Sequence, residues 1–248
     1  MTAHWKILNK YPFELIPGTA KEMPDGDLSY YEYLNGRWME TGKNVMAIAW
    51  LLRNFPEGLS YSEPFGGCGV FSVAIQERMK PSEHRISELD EDCVAQLHHA
   101  LGKYSGVSIH HENAHDTLGT LPADVYVCDF PFFTLIKHET GYWAEELARM
   151  VAQKPKAILI TDGASCRYHF TAKALQKRGY DVTADRETYA YAFDKMVQET
   201  YGYHVTGMVY HGTCFYIRIE PQPATAIEFL KLEAGVGPNG LRPDPKGF

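Results

Sequence analysis

The chain has 248 residues, 45% hydrophobic and 22% charged, which suits one sizeable α/β core and excludes disordered and collagen-like classes. Its formal charge of −7 argues against a broadly basic nucleic-acid surface, because neutralised phosphates supply much of the affinity of such binders, but it leaves room for a local patch. No apolar run reaches bilayer-spanning length, Met1-Thr2-Ala3-His4-Trp5-Lys6 lacks the regions of a secretory signal, and the five scattered cysteines form no CxxC pair, so a cytoplasmic protein with no membrane partner, disulfide framework or metal site is expected.

Residues 1–40 are rich in aromatic residues and turn formers, among them Tyr30-Tyr31-Glu32-Tyr33 and Trp38, and read as an ordered N-terminal cap or arm. Gly42-Lys43-Asn44 then opens an amphipathic helix carrying Val45, Ile48, Ala49 and Leu52. Residues 59–64 read as a strand that Gly66-Gly67 turns into a helix with Val70, Phe71, Ala74 and Ile75. A strand over 84–89 precedes a helix striped by Cys93, Val94, Leu97 and Leu101, and further strands fall over 107–113 and 125–129. Trp143, Leu147, Met150 and Val151 have helical spacing, residues 157–161 form a compact buried strand, and a helix over 170–178 closes at Gly179. Cys128 and Cys214 sit in apolar strands, where buried thiols are expected.

This alternation predicts a doubly wound, mostly parallel sheet. The last two strands, 205–210 and 213–219, are joined by only His211-Gly212 and must be antiparallel, since a parallel pair needs a long crossover. The main domain is therefore placed at 41–222, followed by a tail over 223–248 that is irregular coil from about Gly235.

A strand that runs through glycines into a helix presents backbone N–H groups and a helix N-terminus to a ligand. Glu63-Pro64-Phe65-Gly66-Gly67-Cys68-Gly69 has that form. Gly67-x-Gly69 alone is shared with dinucleotide sites and with purely structural turns, but the third dinucleotide glycine is replaced by Ser72. Glu88, Leu89 and Asp90 end the next strand about twenty residues on, where an acid can accept hydrogen bonds from both ribose hydroxyls. The plain alternative for Glu88 is a solvated carboxylate at a strand end.

The succession Gly42-Lys43-Asn44, helix, Asn54-Phe55-Pro56 and Tyr61-Ser62-Glu63-Pro64-Phe65-Gly66-Gly67-Cys68-Gly69 resembles the opening of the Dam-like adenine DNA methyltransferases. There a Gly-x-Lys helix and Phe-Pro precede Glu-Pro-Phe-x-Gly-x-Gly. The resemblance implies a seven-stranded methyltransferase sheet and S-adenosyl-L-methionine as cofactor. It assigns the glycine loop (63–69), Glu88-Leu89-Asp90 and Ala114 to that cofactor, Asn113 to its adenine, and Lys43 with its helix to its methionine end. Without that company Lys43 reads as a solvated lysine, and His115 is structural.

Cys128-Asp129-Phe130-Pro131-Phe132-Phe133 resembles the Asp/Asn/Ser-Pro-Pro-aromatic motif of amino-methyltransferases, with Phe130 in place of the first proline. An exocyclic amine is a poor nucleophile because its lone pair is delocalised into the ring. The Asp129 carboxylate and the Phe130 carbonyl would each accept an amine N–H, drawing the nitrogen toward tetrahedral. Pro131 restrains the residue before it. Phe132 would stack on a base flipped out of the duplex. Asp129 counts toward the cofactor contacts as well. The structural alternative is a strand-capping Asp followed by an aromatic core cluster.

The expected partner is DNA and the expected target adenine. Dam-like enzymes insert a long recognition segment between the second-strand acid and the third-strand motif; here only about two dozen residues separate Asp90 from Asn113, room for one helix. Recognition must then come from 1–40, 133–142 or 181–202, the last holding Arg186, Tyr189, Tyr191 and Lys195, with Arg167, Lys173, Lys177 and Arg178 nearby in sequence. Three other readings remain: an RNA or other amine methyltransferase, a degenerate fold that binds without catalysis, and, more remotely, an NAD-linked oxidoreductase.

Overall fold

The computed structural model describes residues 20–22, 30–33, 37–40, 42–128, 142–162, 175–182, 186–211, 214–222 and 226–231. Three short strands, β1 (Ala20–Glu22), β2 (Tyr30–Tyr33) and β3 (Arg37–Glu40), form an antiparallel sheet of their own within the N-terminal segment. Then follow α1 (Gly42–Leu51), β4 (Ser60–Glu63), α2 (Val70–Met79), β5 (Glu83–Glu88), α3 (Glu91–Leu101), β6 (Val107–His111) and α4 (Ala114–Thr117). The second half runs β7 (Val125–Cys128), α5 (Tyr142–Ala152), β8 (Ala157–Asp162), α6 (Arg186–Tyr201), β9 (His204–His211), β10 (Cys214–Glu220) and β11 (Glu228–Lys231).

The main sheet has the order β11-β9-β10-β8-β7-β4-β5-β6. From β8 to β6 every pairing is parallel, whereas β10 lies antiparallel to both β8 and β9. The expected doubly wound sheet and C-terminal hairpin are both present. The strand count differs: there are eight strands, not seven, because β11 lies beyond residue 222 and pairs in parallel with β9. The segment is only four residues long, too short for its sequence to announce a strand; pairing with β9 makes it one.

Alternate residues of β7 feed opposite layers, as the period of two in a strand requires. Val125 and Val127 join Ile48, Leu51, Phe71 and Ile75 beneath α1 and α2, while Tyr126 and Cys128 join Leu147, Met150 and Phe193 beneath α5 and α6. A strand buried on both faces reads as an unbroken apolar run, and Val-Tyr-Val-Cys is one. Residues 175–177 are helical, and Gly179 (φ 85°) ends that helix in the left-handed region, as expected from its glycine. Most of residues 181–202, one of the stretches from which recognition is expected, make up α6, and Tyr189 in it is a core residue stacked on Phe193 with ring centroids 5.9 Å apart. The basic residues Lys177, Arg178 and Lys195 are exposed, and Tyr191 is the exposed aromatic of that helix. Arg167 and Lys173 lie outside the described residues.

Among the described residues no helix is long and apolar enough to cross a membrane.

Candidate cofactor site at the switch point of the sheet

Strands β4, β5 and β6 progress one way from the sheet centre and β7 and β8 the other, so the direction of winding reverses between β4 and β7. Loops leaving the carboxyl ends of the two central strands part there and open a crevice, the place where open α/β sheets bind ligands. The glycine loop leaves β4 at this point. Gly69 is the N-cap of α2 in the left-handed conformation (φ 89°) and makes no side-chain cap, so glycine is required there and the first-turn amides of α2 are not capped by a side chain. Gly66 is required for a different reason: a Cβ there would fall 2.4 Å from Ile86 Cγ2 and 3.1 Å from Leu97 Cδ1. Gly67 (φ 51°) faces open space, with nothing within 4 Å of the position a Cβ would take.

Glu88 ends β5 beside this loop. Its Oε2 accepts the Gly67 amide at 2.7 Å, and its Oε1 accepts the amides of Leu89 and Asp90 at 2.8 and 2.9 Å. Asp90 Oδ1 in turn caps α3 by accepting the Cys93 amide at 3.1 Å. His111 Nε2 lies 3.0 Å from the Leu89 carbonyl. With its backbone held from both sides, Leu89 projects a side chain that is 64% exposed, the most exposed large apolar residue among those described.

On the neighbouring strand, Glu112 follows β6 and Asn113 opens the short helix α4 through the bond from the Asp116 amide to its carbonyl. Asn113 is exposed and Ala114 buried. Glu112 Oε1 accepts Ser87 Oγ at 2.6 Å and Arg85 Nη2 at 2.8 Å. Burial works to raise its carboxyl, but those bonds and the Arg85 charge outweigh it and hold it below the ordinary carboxylate value.

Glu63, grouped by the sequence with the loop, is fully buried. Its Oε2 accepts Ser72 Oγ at 2.6 Å and lies 3.2 Å from His84 Nε2, while Oε1 has no hydrogen-bond partner among the described residues. His84 Nδ1 lies 3.0 Å from Gln76 Nε2. Ser72 and Gln76 are one turn apart on α2, and Glu63 and His84 come from adjacent strands. Sequence reasoning missed this polar seam. Its only signal was Ser72 standing where a dinucleotide site has glycine. Pro64 and Cys68 are buried and Phe65 half-buried within the loop.

Lys43 lies in the first turn of α1, and only its backbone is described. Asp129, Phe130, Pro131 and Phe132 lie outside the described residues; they follow Cys128, the last residue of β7, directly in the chain. Glu63 to Gly69, Glu88 to Asp90 and Asn113-Ala114 are thus brought to the carboxyl ends of three adjacent strands. Among the described residues no group of three His, Cys, Asp or Glu side chains is placed to hold a metal ion.

Solved structures share this fold. A protein of Listeria monocytogenes assigned to the class I S-adenosylmethionine-dependent methyltransferases superposes with a TM-score of 0.51 at 14% identity, over 76% of this chain and 64% of that one. The fold is that of the class I methyltransferases. A conserved Streptococcus pyogenes protein described as hypothetical superposes at TM-score 0.50 and 10% identity, over 73% of this chain and 98% of that one. A Pyrococcus horikoshii protein assigned as an RNA methyltransferase gives 0.49 at 16% identity, over 72% and 84% of the two chains. In sequence, no family profile and no curated protein matches. Relative to the methyltransferase fold expected from the sequence, the eighth strand β11 is the departure.

Proposed function

We propose that the chain is an S-adenosyl-L-methionine-dependent methyltransferase acting on an exocyclic amine, with adenine in DNA as its target. The observation that carries the reading is the Glu88 carboxylate bound to the Gly67 amide at the switch point of a methyltransferase fold. The site fits the cofactor. Gly67 leaves open space at the α2 N-terminus, Glu88 can still accept hydrogen bonds beyond the three it has, and exposed Leu89 offers an apolar surface to a purine ring.

S-adenosyl-L-methionine supplies a methyl group on a positively charged sulfur. The chain's own residues supply position. Glu88 would accept from the ribose hydroxyls, Asn113 would meet the adenine with Ala114 beside it in the cofactor site, and Lys43 with α1 would cover the methionine end. Asp129 and the Phe130 carbonyl would each accept one N–H of the acceptor amine and aim its lone pair, Pro131 would restrain that carbonyl, and Phe132 would stack on the ring that bears the amine. Most of the rate enhancement then comes from orientation rather than from acid–base power.

Radiolabelled methyl transfer to DNA, RNA and small amines, followed by nucleoside analysis, tests the proposal. The expected product is N-methylated adenine in DNA. Label in RNA alone would keep the chemistry and replace the substrate. Asp129→Ala should abolish transfer while leaving affinity for the demethylated cofactor nearly intact. If neither S-adenosyl-L-methionine nor its demethylated product bound at millimolar levels, the enzyme reading would fall.

A further inference from the structure

Strand β11 begins at a junction that binds it to the C-terminal end of α1. In the sheet register Glu228 is opposite Gly207, and Gly207 is opposite Arg218, so the three form one row across β11, β9 and β10. Residues in one row project to the same face. The middle position has no side chain, and the guanidinium of Arg218 lies over it. Arg218 Cζ would be 3.6 Å from a Cβ at residue 207, and its Nη2 reaches Glu228 Oε2 at 3.2 Å. The same bare patch receives α1: Leu51 Cδ2 and Trp50 Cζ3 would stand 3.3 and 3.5 Å from that Cβ.

Two guanidinium groups meet the C-terminal end of α1 here. Arg218 Nη1 donates to the Leu51 carbonyl at 2.7 Å, and Arg53 Nη1 donates to the Trp50 carbonyl at 2.7 Å. Arg53 also lies over the Trp50 ring, 3.8 Å from its centroid. Both carbonyls are among the last four of the helix, which have no intrahelical donor, and cations at that end complement the helix dipole. One carboxylate holds both cations: Glu228 Oε2 is 2.6 Å from Arg53 Nη2 as well as 3.2 Å from Arg218 Nη2. Arg218 is buried, and Thr206 Oγ1 at 2.8 Å and Glu220 Oε2 at 2.9 Å complete its surroundings.

We propose that Glu228 is a positioning residue for the cofactor site: through Arg218 and Arg53 it sets the C-terminal end of α1, and with it the Gly42-Lys43 end that covers the methionine moiety. The inference rests on the methyltransferase reading above. A ten-residue helix is about 15 Å long, so a tilt of about 10° at one end moves the other by roughly 2.5 Å. A displacement of that size is ample to spoil a positioned contact.

The test uses the full chain, with Glu228→Ala, Glu228→Gln and Glu228→Asp. Affinity for S-adenosyl-L-homocysteine is measured by calorimetry and α1 opening by amide hydrogen exchange. Glu228→Ala and Glu228→Gln are expected to weaken binding by about tenfold or more, with Glu228→Asp recovering most of it. Faster exchange should be confined to α1, with β4, β5 and β7 still protected. A variant with a lower melting temperature but affinity within about twofold of wild type, and unchanged α1 exchange, would overturn the proposal, since Glu228 would then only stabilise a sheet edge. Should Glu228→Ala fail to fold, Arg53→Ala removes one arm of the clamp from a partly exposed position, and the same two readouts decide. Wild-type protein that binds neither cofactor form would sink the methyltransferase reading and the cofactor role together. Selective loosening of α1 in Glu228→Ala would then show the coupling of β11 to α1 without a cofactor role, so the two failures are distinguishable.

Discussion

The Glu88 carboxylate accepts the Gly67 amide at 2.7 Å, and by that one bond the acid at the end of β5 holds the glycine loop that leaves β4. Its other oxygen takes the amides of Leu89 and Asp90 at 2.8 and 2.9 Å. A carboxylate has about four acceptor sites, so capacity remains for a ligand hydroxyl. Glu88→Gln would turn an NH₂ toward at least one of those amides. It is therefore expected to weaken cofactor binding about as much as Glu88→Ala, by at least about tenfold, a loss of roughly 1.4 kcal/mol. Calorimetric titration checks this, and a Glu88→Gln variant binding within about twofold of wild type would contradict it.

Gly66 and Gly67 should respond differently to alanine. At Gly66 the new Cβ meets Ile86 Cγ2 at 2.4 Å, an overpacking expected to cost about 1–3 kcal/mol. At Gly67 it meets nothing, and the cost is the left-handed φ of 51°, about 1 kcal/mol. Urea denaturation should rank Gly66→Ala as the less stable variant. Cofactor titration should show the larger loss per unit of stability for Gly67→Ala, whose Cβ enters open space. The reverse ranking in either measurement would refute the packing argument.

The seam beneath the loop should behave as one unit. Ser72→Ala removes a donor from a carboxylate that is fully buried, an expected cost of about 1–3 kcal/mol. Combined with Glu63→Gln in a double-mutant cycle, it should show a coupling of about 0.5–3 kcal/mol. Strictly additive losses in chemical denaturation would mean that the 2.6 Å contact does not operate in solution.

Acid should loosen the molecule through Glu228 and Asp124. Burial works to raise both carboxyls. In Glu228 the Arg53 bond and charge, then those of Arg218, outweigh it; in Asp124 the Ser60 backbone bond, the Lys156 and Ser60 side-chain bonds and the Lys156 charge do so. Both are therefore lowered in the folded state. Their contribution is complete above the ordinary values of 4.5 and 3.8 and is lost as pH falls through the lowered folded values. Arg53→Ala should shallow the loss of stability in that acidic window, modestly, because the Glu228 side chain is 45% exposed. An unchanged acid limb in a pH series of denaturant midpoints would rule out the Arg53 contribution.

Much of the fold was legible because periodicity reports burial locally. Val125 to Cys128 is an unbroken apolar run because both faces of a central strand are covered, and the short link from β9 to β10 excluded a parallel pair. The glycine loop was legible because backbone conformation and close approach restrict residue type at single positions. Tyr189 misled for the opposite reason: in an aromatic-rich, polar-flanked stretch it resembles a surface residue, yet tertiary packing places it against Phe193.

By itself, then, the amino-acid sequence determined the doubly wound order of strands and helices, the glycine loop after β4 and the acid that ends β5, since each depends on contacts a few residues long. Only the tertiary structure decided what Glu88 and Glu63 hold, that β11 is an eighth strand, and that Glu228, Gly207 and Arg218 share one row. The physical reason is register. Which side chains meet across strands depends on how the strands align, and a shift of one residue would send Glu228 to the other face of the sheet.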